Sequence, residues 1–350
     1  MGKQTGPLAV ALSGGVDSAV AALLLIREGW QVVGVHLQLA AGCPVPERLE
    51  SLARHLGIRL LTLDARQAFA REVVDYFVRS YSRGETPNPC IRCNAAIKFG
   101  VLREFLASQG FGLLATGHYV RREERPDGEV AVLRGRDRGK DQSYFLQRLP
   151  RELLPLLRFP LGDLTKTEVR RLFAEMDLPL TDGCPESQDL CFLGEQHYGD
   201  FLREKCGAGV PGELVDPQGR VLGRHRGVAC YTVGQRRGLG VPGPVPYYVL
   251  AIRPEANQVV IGPREHLFAN GLTARFINWL ISPPIKDLPV TAVIRYRHPG
   301  VAATVSLTPE GAALVRFSSP QSAVTPGQGV AFYEGPRLLG GGWIEGAVTD

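Results

Sequence analysis

No apolar run in this 350-residue sequence approaches the ~20 residues that a helix needs to span a bilayer. The first residues, Met1-Gly2-Lys3-Gln4-Thr5-Gly6-Pro7, lack the apolar core of a secretion signal. Both absences lead to the expectation of a cytoplasmic protein with no membrane partner. No Gly-X-Y period accompanies the 41 glycines and 26 prolines, which excludes a collagen-like chain. No internal repeat or low-complexity segment marks a solenoid. Charge of one sign is also scarce in excess: 40 Lys and Arg stand against 35 Asp and Glu. A net +5 permits an anionic partner without demanding one. Two common phosphate signatures are missing as well, since there is neither a GxxxxGK[ST] nor a GxGxxG string.

What the chain does have is 44% hydrophobic residues, enough to bury real cores, and seven cysteines. An odd cysteine count in a long chain of reducing-compartment type argues against a disulfide framework and for metal, redox or catalytic use.

Over the first ~200 residues, short apolar runs alternate with helical patterns. Leu8–Leu12, Val32–Leu37, Arg59–Leu63 and Leu113–Thr116 read as strands. Ala19–Arg27, Glu47–Leu56, Ala65–Tyr81 and Ala95–Gln109 read as helices. This alternation predicts an α/β, doubly wound parallel sheet with helices on both faces and ligands at the carboxyl ends of the strands. Tyr119–Gly135 predicts a hairpin turning at Pro126-Asp127-Gly128. Thr165-Lys166-Thr167-Glu168 has capping-box spacing and opens a helix through Met176. Beyond about Gly207 the pattern becomes short strands and turns. The expected organisation is therefore a nucleotide domain over 1–206, a small central β-rich module over 207–270 and a barrel-like or sandwich-like module over 271–350.

Ser13-Gly14-Gly15-Val16-Asp17-Ser18 joins the first strand to the first helix. Small residues let the backbone approach an anion, and the N–H groups at the helix start point at it. Asp17 stands where a carboxylate can share Mg²⁺ with phosphates. A second constellation, Thr86-Pro87-Asn88-Pro89-Cys90-Ile91-Arg92-Cys93-Asn94, places two cysteines three apart before a helix. With Arg92 and Lys98 close in sequence, these thiols are expected to have lowered pKa values. A third cysteine, Cys191, lies in Ser187–Gly194.

SGGVDS resembles the PP-loop of the ATP pyrophosphatase superfamily. In order along the chain come SGGVDS, TPNPxxxCN, ATGHY (Ala115–Tyr119), KDQSYFL (Lys140–Leu146), the Cys191 motif, YTVGQRRGLG (Tyr231–Gly240), Arg295-Tyr296-Arg297, TPGQ (Thr325–Gln328) and LGGGWIE (Leu339–Glu345). Together they resemble the bacterial tRNA-specific 2-thiouridylase family across essentially the whole chain.

That resemblance implies an ATP-dependent replacement of the 2-oxygen of a tRNA wobble uridine by sulfur. Transfer of AMP to the oxygen makes it a leaving group. Ala11, Leu12, Ser13, Gly14, Gly15, Val16, Asp17, Ser18, Leu37 and Gly117 match the ATP site, with Mg²⁺ as companion. Cys191 matches the persulfide carrier, and Cys93 the second essential cysteine. Asn88, Pro89 and Cys90 match positions facing the target base. His118, Lys140, Asp141, Gln142, Arg295, Tyr296, Arg297 and Gln328 match tRNA contacts, with Arg236 and Arg237 as further basic rim candidates. The sulfur is expected from a cysteine desulfurase, a sulfur relay protein or sulfide. Cys43, Cys184, Cys206 and Cys230 are expected to be structural.

The chain departs from the family pattern in two places. Cys90 replaces an Asp common in relatives, and an acidic insertion after Leu37 is absent. The first creates a set of three, Cys90, Cys93 and Cys191. Three thiolates suit a 4Fe–4S cluster with one open iron that would bind hydrosulfide. A metal-free persulfide route stays open, as does structural zinc with Cys184 or His197 as fourth ligand. Two rival readings remain: a PP-loop amidotransferase or synthetase acting on a small molecule, and a non-catalytic RNA-binding protein.

Overall fold

The structure is a computed structural model that describes residues 6–39, 47–176, 190–194, 196, 198–206 and 209–349. Cys43, Cys184, Ser187, Gln188, Asp189 and His197 lie outside the described residues, as does the side chain of Cys206. The chain divides into two compact units. The first comprises Met1–Glu72, Cys90–Phe192 and Pro336–Leu339, and the second Val73–Pro89, Leu193–Gly335 and Gly340–Asp350.

The first unit is built on five parallel strands. In chain order these are β1 (Pro7–Ala11), β2 (Gln31–Gln38), β3 (Arg59–Asp64) and β4 (Leu113–Ala115), then, after a hairpin of β5 (Val120–Glu124) and β6 (Val130–Arg134), β7 (Leu157–Arg158). The sheet order is β3-β2-β1-β4-β7, all pairs parallel. The order reverses direction at β1, so the loop after β1 opens at a switch point of the doubly wound sheet. The central strand is buried on both sides, with Leu8, Ala9 and Val10 completely enclosed, whereas the edge strand β3 holds no fully buried residue. Helix α1 (Val16–Arg27) covers the sheet with Ala19, Val20, Ala22 and Leu25 in the same core as Val169 and Met176.

The hairpin turns as expected, with Gly128 in the left-handed region (φ 82°), which a glycine adopts without a Cβ penalty. The capping box also forms. Thr165 accepts from the Glu168 backbone and Glu168 reaches back to Thr165, opening the helix Lys166–Ala174.

Two helices differ from the sequence reading. The segment expected as one helix over 65–81 is interrupted by a π turn at Ala70–Val74. The other begins earlier than expected, at Pro89–Cys93, and passes into a π turn over Asn94–Val101 before resuming at Leu102–Ser108. Wide turns of this kind recur at functional sites. Both cysteines of the CxxC pair are therefore inside a helix rather than in a loop ahead of one.

The second unit holds two β-rich modules. Gly212–Val215, Val221–His225, Tyr248–Arg253 and Gln258–Gly262 form a four-stranded sheet around Leu214, Val249, Val259 and Ile261. The other module is a barrel. Phe268–Trp279, Ala313–Ser322, Val301–Leu307, Leu288–Val293, Gly329–Glu334 and the strand Arg337–Val348, of which this unit holds the part from Gly340 onward, follow one another in the sheet, and the last pairs back on the first. Closure removes the exposed sheet edges. Val301, Ala303 and Val305 face inward, matching the period-2 pattern of the sequence.

Candidate functional site: a nucleotide loop and a thiol cluster

The loop after β1 reaches α1 with its N-cap, Gly15, making no side-chain cap. The first N–H groups of α1 are thus left for a ligand. Gly14 has φ 79°, and a Cβ there would lie 3.1 Å from Arg48 Nε. Ser18 ties the turn together, donating to Gly15 O at 3.0 Å and accepting from Ser13 N at 3.2 Å. Gly117 packs directly on the start of α1. A Cβ there would stand 2.9 Å from the Asp17 carbonyl carbon. Ala11 ends the strand beneath this loop and Leu12 follows it, and Leu37 sits near the carboxyl end of β2.

Asp17 is already engaged. Lys166 Nζ lies 2.7 and 3.0 Å from its two oxygens, and the Tyr119 hydroxyl donates to Oδ1 at 2.7 Å. The Lys166 side chain is only 10% exposed, so this ammonium is desolvated toward the loop. The sequence reading treated Lys166 as part of a capping box only. The signal was a lysine at the first position of a helix, where a cation opposes the helix dipole and calls for a separate reason.

The three cysteines belong to the same unit and share one locality. Cys93 is buried, while Cys90 and Cys191 reach the surface. Burial pushes the Cys93 thiol up to about 11, with the Cys191 and Cys90 thiols adding to it against a lowering by Lys98. Cys90 and Cys191 are raised for the same leading reason, burial of the sulfur, again opposed by Lys98. The expectation of lowered thiol pKa values is therefore corrected. Desolvation outweighs the Lys98 ammonium at each sulfur. Arg92 does not help, because its guanidinium is turned to Glu72, donating to Oε2 at 2.5 Å and to the main-chain oxygen at 3.2 Å. Lys98 was not singled out from the sequence as the shared partner of all three thiols. Among the described residues, no three His, Cys, Asp or Glu side chains converge tightly enough to hold a metal ion.

The expected tRNA contacts fall into two kinds. Lys140 and Gln142 flank Asp141, whose carboxylate is consumed internally by Gly135 N, Ser143 N, Ser143 Oγ and Arg134. His118 is buried against Phe99 and Phe159, with Nδ1 2.7 Å from Thr116 Oγ1. Burial, and next the Lys98 charge, hold its pKa well below the usual histidine value. In the second unit, Arg295, Tyr296 and Arg297 form a turn in which both arginines are exposed and Arg297 lies 5.7 Å over the Tyr296 ring. Gln328 donates to the carbonyls of Thr86 (3.0 Å) and Pro87 (3.3 Å), just ahead of Asn88 and Pro89.

A parallel sheet with an uncapped Gly-Gly loop at its switch point, and a thiol cluster in the same unit, define a nucleotide-using PP-loop enzyme. Three family models match in succession: the tRNA methyl transferase HUP domain over residues 7–195, the tRNA methyl transferase PRC-barrel domain over 199–263 and the aminomethyltransferase beta-barrel domain over 269–344. Among curated proteins, the tRNA-specific 2-thiouridylase MnmA of Geobacter metallireducens is 44% identical over 360 residues, spanning 98% of each chain. That of Magnetococcus marinus is 42% identical over 352 residues, spanning 96% of this chain and 98% of its own. That of Carboxydothermus hydrogenoformans is 44% identical over 353 residues, spanning 96% of each. The chain belongs to the tRNA-specific 2-thiouridylase family.

Proposed function

We infer that this chain is an ATP-dependent tRNA uridine 2-sulfurtransferase. The observation that carries the reading is the presence, in one unit, of a PP-loop whose Asp17 pairs with the buried Lys166 and of three interacting thiols. A small-molecule synthetase needs the first and not the second. A non-catalytic RNA-binding protein needs neither.

The uridine 2-oxygen attacks the α-phosphorus of ATP, and pyrophosphate leaves. The loop N–H groups, the α1 dipole and Lys166 meet the negative charge that develops. Asp17, one hard carboxylate beside substrate phosphates, has the chemistry to share Mg²⁺, which would neutralise phosphate charge. The terminal sulfur of a Cys191 persulfide then attacks C2, and AMP leaves with the oxygen. The RNA is now joined to Cys191 through a disulfide. The Cys93 thiolate attacks the Cys191 sulfur, forming a Cys93–Cys191 disulfide and releasing 2-thiouridine. An external thiol reductant restores both cysteines, and a cysteine desulfurase or a sulfur relay protein reloads Cys191 by transferring sulfur from its own persulfide; sulfide reloads it instead by attacking the Cys93–Cys191 disulfide at Cys191, which leaves the Cys191 persulfide and frees the Cys93 thiol.

The raised thiol pKa values fit this division of labour. A persulfide is more acidic than a thiol, so sulfur enters as an anion while Cys90 stays protonated and Cys93 stays protonated until its own step, when it gives up its proton and attacks the Cys191 sulfur. Cys90 is then a neutral proton donor where many relatives have Asp. A 4Fe–4S cluster on Cys90, Cys93 and Cys191 has the right donor chemistry, but the described side chains do not converge as ligands. Lys140, Gln142, Arg295, Tyr296 and Arg297 are the side chains we assign to tRNA, through phosphate contact and base stacking.

The deciding experiment is mass analysis of tRNA nucleosides after incubation with ATP and a sulfur source, using anaerobically purified protein with measured iron content. Iron-free protein that makes 2-thiouridine supports the persulfide route, and activity that tracks iron overturns it. Pyrophosphate release with a small metabolite in place of tRNA would overturn the whole reading.

A further inference from the structure

Tyr119 is 2% exposed and touches two segments at once. Its phenol donates to Asp17 Oδ1 in the nucleotide loop at 2.7 Å. Its backbone is gripped by Gln142 from both sides: Tyr119 N donates to Gln142 Oε1 at 3.0 Å, and Gln142 N donates to Tyr119 O at 3.2 Å. There is little slack around it. A Cβ at Gly135 would lie 2.6 Å from Tyr119 O, and one at Gly117 would lie 3.0 Å from Asp17 O. Lys166 Nζ is 5.9 Å from the Tyr119 ring centroid and bonded to the same carboxylate. A close-packed interior of this kind passes on a displacement instead of absorbing it.

We propose that Tyr119 is a positioning residue that couples tRNA docking at Lys140–Gln142 to the Asp17–Lys166 pair of the nucleotide loop. The proposal rests on the reading that Lys140 and Gln142 contact tRNA. Asp17 Oδ1 accepts from both Tyr119 and Lys166, and Mg²⁺ brought by ATP competes for that oxygen. RNA that draws on the Gln142 amide alters its grip on the Tyr119 backbone. The phenol moves with it, and Asp17 redistributes between hydroxyl, ammonium and metal. Linkage makes the effect reciprocal: bound tRNA changes ATP affinity by the factor by which ATP changes tRNA affinity. ATP cleavage is thereby tied to the presence of the RNA that uses it.

The test is an equilibrium one, because spatial intermediacy alone does not demonstrate coupling. The full-length protein is titrated with the α,β-methylene analogue of ATP and Mg²⁺, with and without saturating unmodified tRNA. The ratio of the two dissociation constants is the readout. In the wild type the ratio is expected to be several-fold. In Tyr119→Phe, which keeps the ring and loses only the hydroxyl, it is expected to fall to about one, with the tRNA affinity of nucleotide-free protein unchanged and the protein still folded, its thermal midpoint lowered by no more than one lost hydrogen bond explains. Gln142→Glu retains the acceptor for Tyr119 N and loses the amide donor that RNA draws on, so it should weaken tRNA binding and bring the ratio toward one even at saturating tRNA. A wild-type ratio in Tyr119→Phe, or a ratio of one in the wild type, overturns the proposal. Undiminished tRNA affinity in both Lys140→Ala and Gln142→Glu overturns the docking reading instead, and the route through Gln142 with it.

Discussion

Lys166 and Asp17 stand 149 positions apart in sequence and form an ion pair of 2.7 Å at the mouth of the nucleotide loop. The lysine is held by a helix start that is itself fixed, because Asp137 Oδ2 accepts from Lys166 N at 3.0 Å and the Thr165–Glu168 box closes the first turn. A desolvated ammonium at such a place is poised for phosphate, and its present partner keeps it aimed.

Removing either member should weaken nucleotide binding. Lys166→Met is expected to raise the dissociation constant for ATP about 10- to 100-fold, the range of one or two charge-assisted hydrogen bonds. AMP binding should change far less, because AMP lacks the β- and γ-phosphates. Equilibrium titration with both nucleotides checks this, and equal losses for the two would refute a phosphate role.

Gly117→Ala should be as damaging as a substitution in the loop itself. Its new Cβ would stand 2.9 Å from the Asp17 carbonyl carbon and 3.1 Å from Ser18 N, both backbone atoms that cannot swing aside. Displacing the first turn of α1 should remove tRNA-dependent pyrophosphate release while tRNA binding is retained.

The sulfur steps separate by mutation. Cys191→Ser should still release pyrophosphate with tRNA but form no 2-thiouridine. Cys93→Ser should stall one step later, with tRNA attached to Cys191 through a bond that dithiothreitol cleaves. A non-reducing denaturing gel followed by reduction reads this directly. Normal 2-thiouridine formation by Cys191→Ser would overturn the persulfide assignment.

Alkylation should report the raised thiol pKa values. Only the thiolate reacts, and burial has moved Cys93 from 9.0 to about 11. Its iodoacetamide rate should therefore climb roughly tenfold per pH unit between pH 7 and 9 with no plateau in that range. Cys191, which reaches the surface, should react before Cys93. Lys98→Met removes the charge that lowers all three thiols and should slow both at fixed pH.

The turn Thr325–Gln328 should matter for the cysteine segment as well as for RNA. Gln328 Nε2 is spent on the Thr86 and Pro87 carbonyls, and Pro326 O accepts from Thr86 N at 2.8 Å. Gly327 has φ 87°, and a Cβ there would lie 2.9 Å from Glu85 Cβ and 3.0 Å from Thr86 N. Gly327→Ala is expected to cost about 1–3 kcal/mol of stability through backbone strain. Denaturant unfolding measures it, and a loss below a few tenths would show that the turn accommodates the methyl group.

Much of this protein is legible in the order of its residues because the physics involved is local. A Gly-Gly turn between a buried strand and a helix needs only neighbours in sequence to bring N–H groups to an anion. The Thr165–Glu168 box, the turn at Pro126–Gly128 and the inward alternation of Val301–Val305 are equally short-range. The thiols are the opposite case. Their sequence neighbours Arg92 and Lys98 argue for lowered pKa values, yet Arg92 turns away to Glu72, and burial leads the balance at each sulfur.

The sequence by itself determined the fold class, the nucleotide loop and the family, because those follow from hydrophobic period, backbone-permissive residues and ordered motifs. Tertiary structure alone decided the state of the side chains that do the work. It delivered Lys166 to Asp17, set Tyr119 between Asp17 and Gln142, committed Gln328 to a backbone segment, and kept protons on thiols that their neighbours favour ionising. Charge and desolvation act through space, and distances in space between residues far apart in the chain are not encoded in any local pattern.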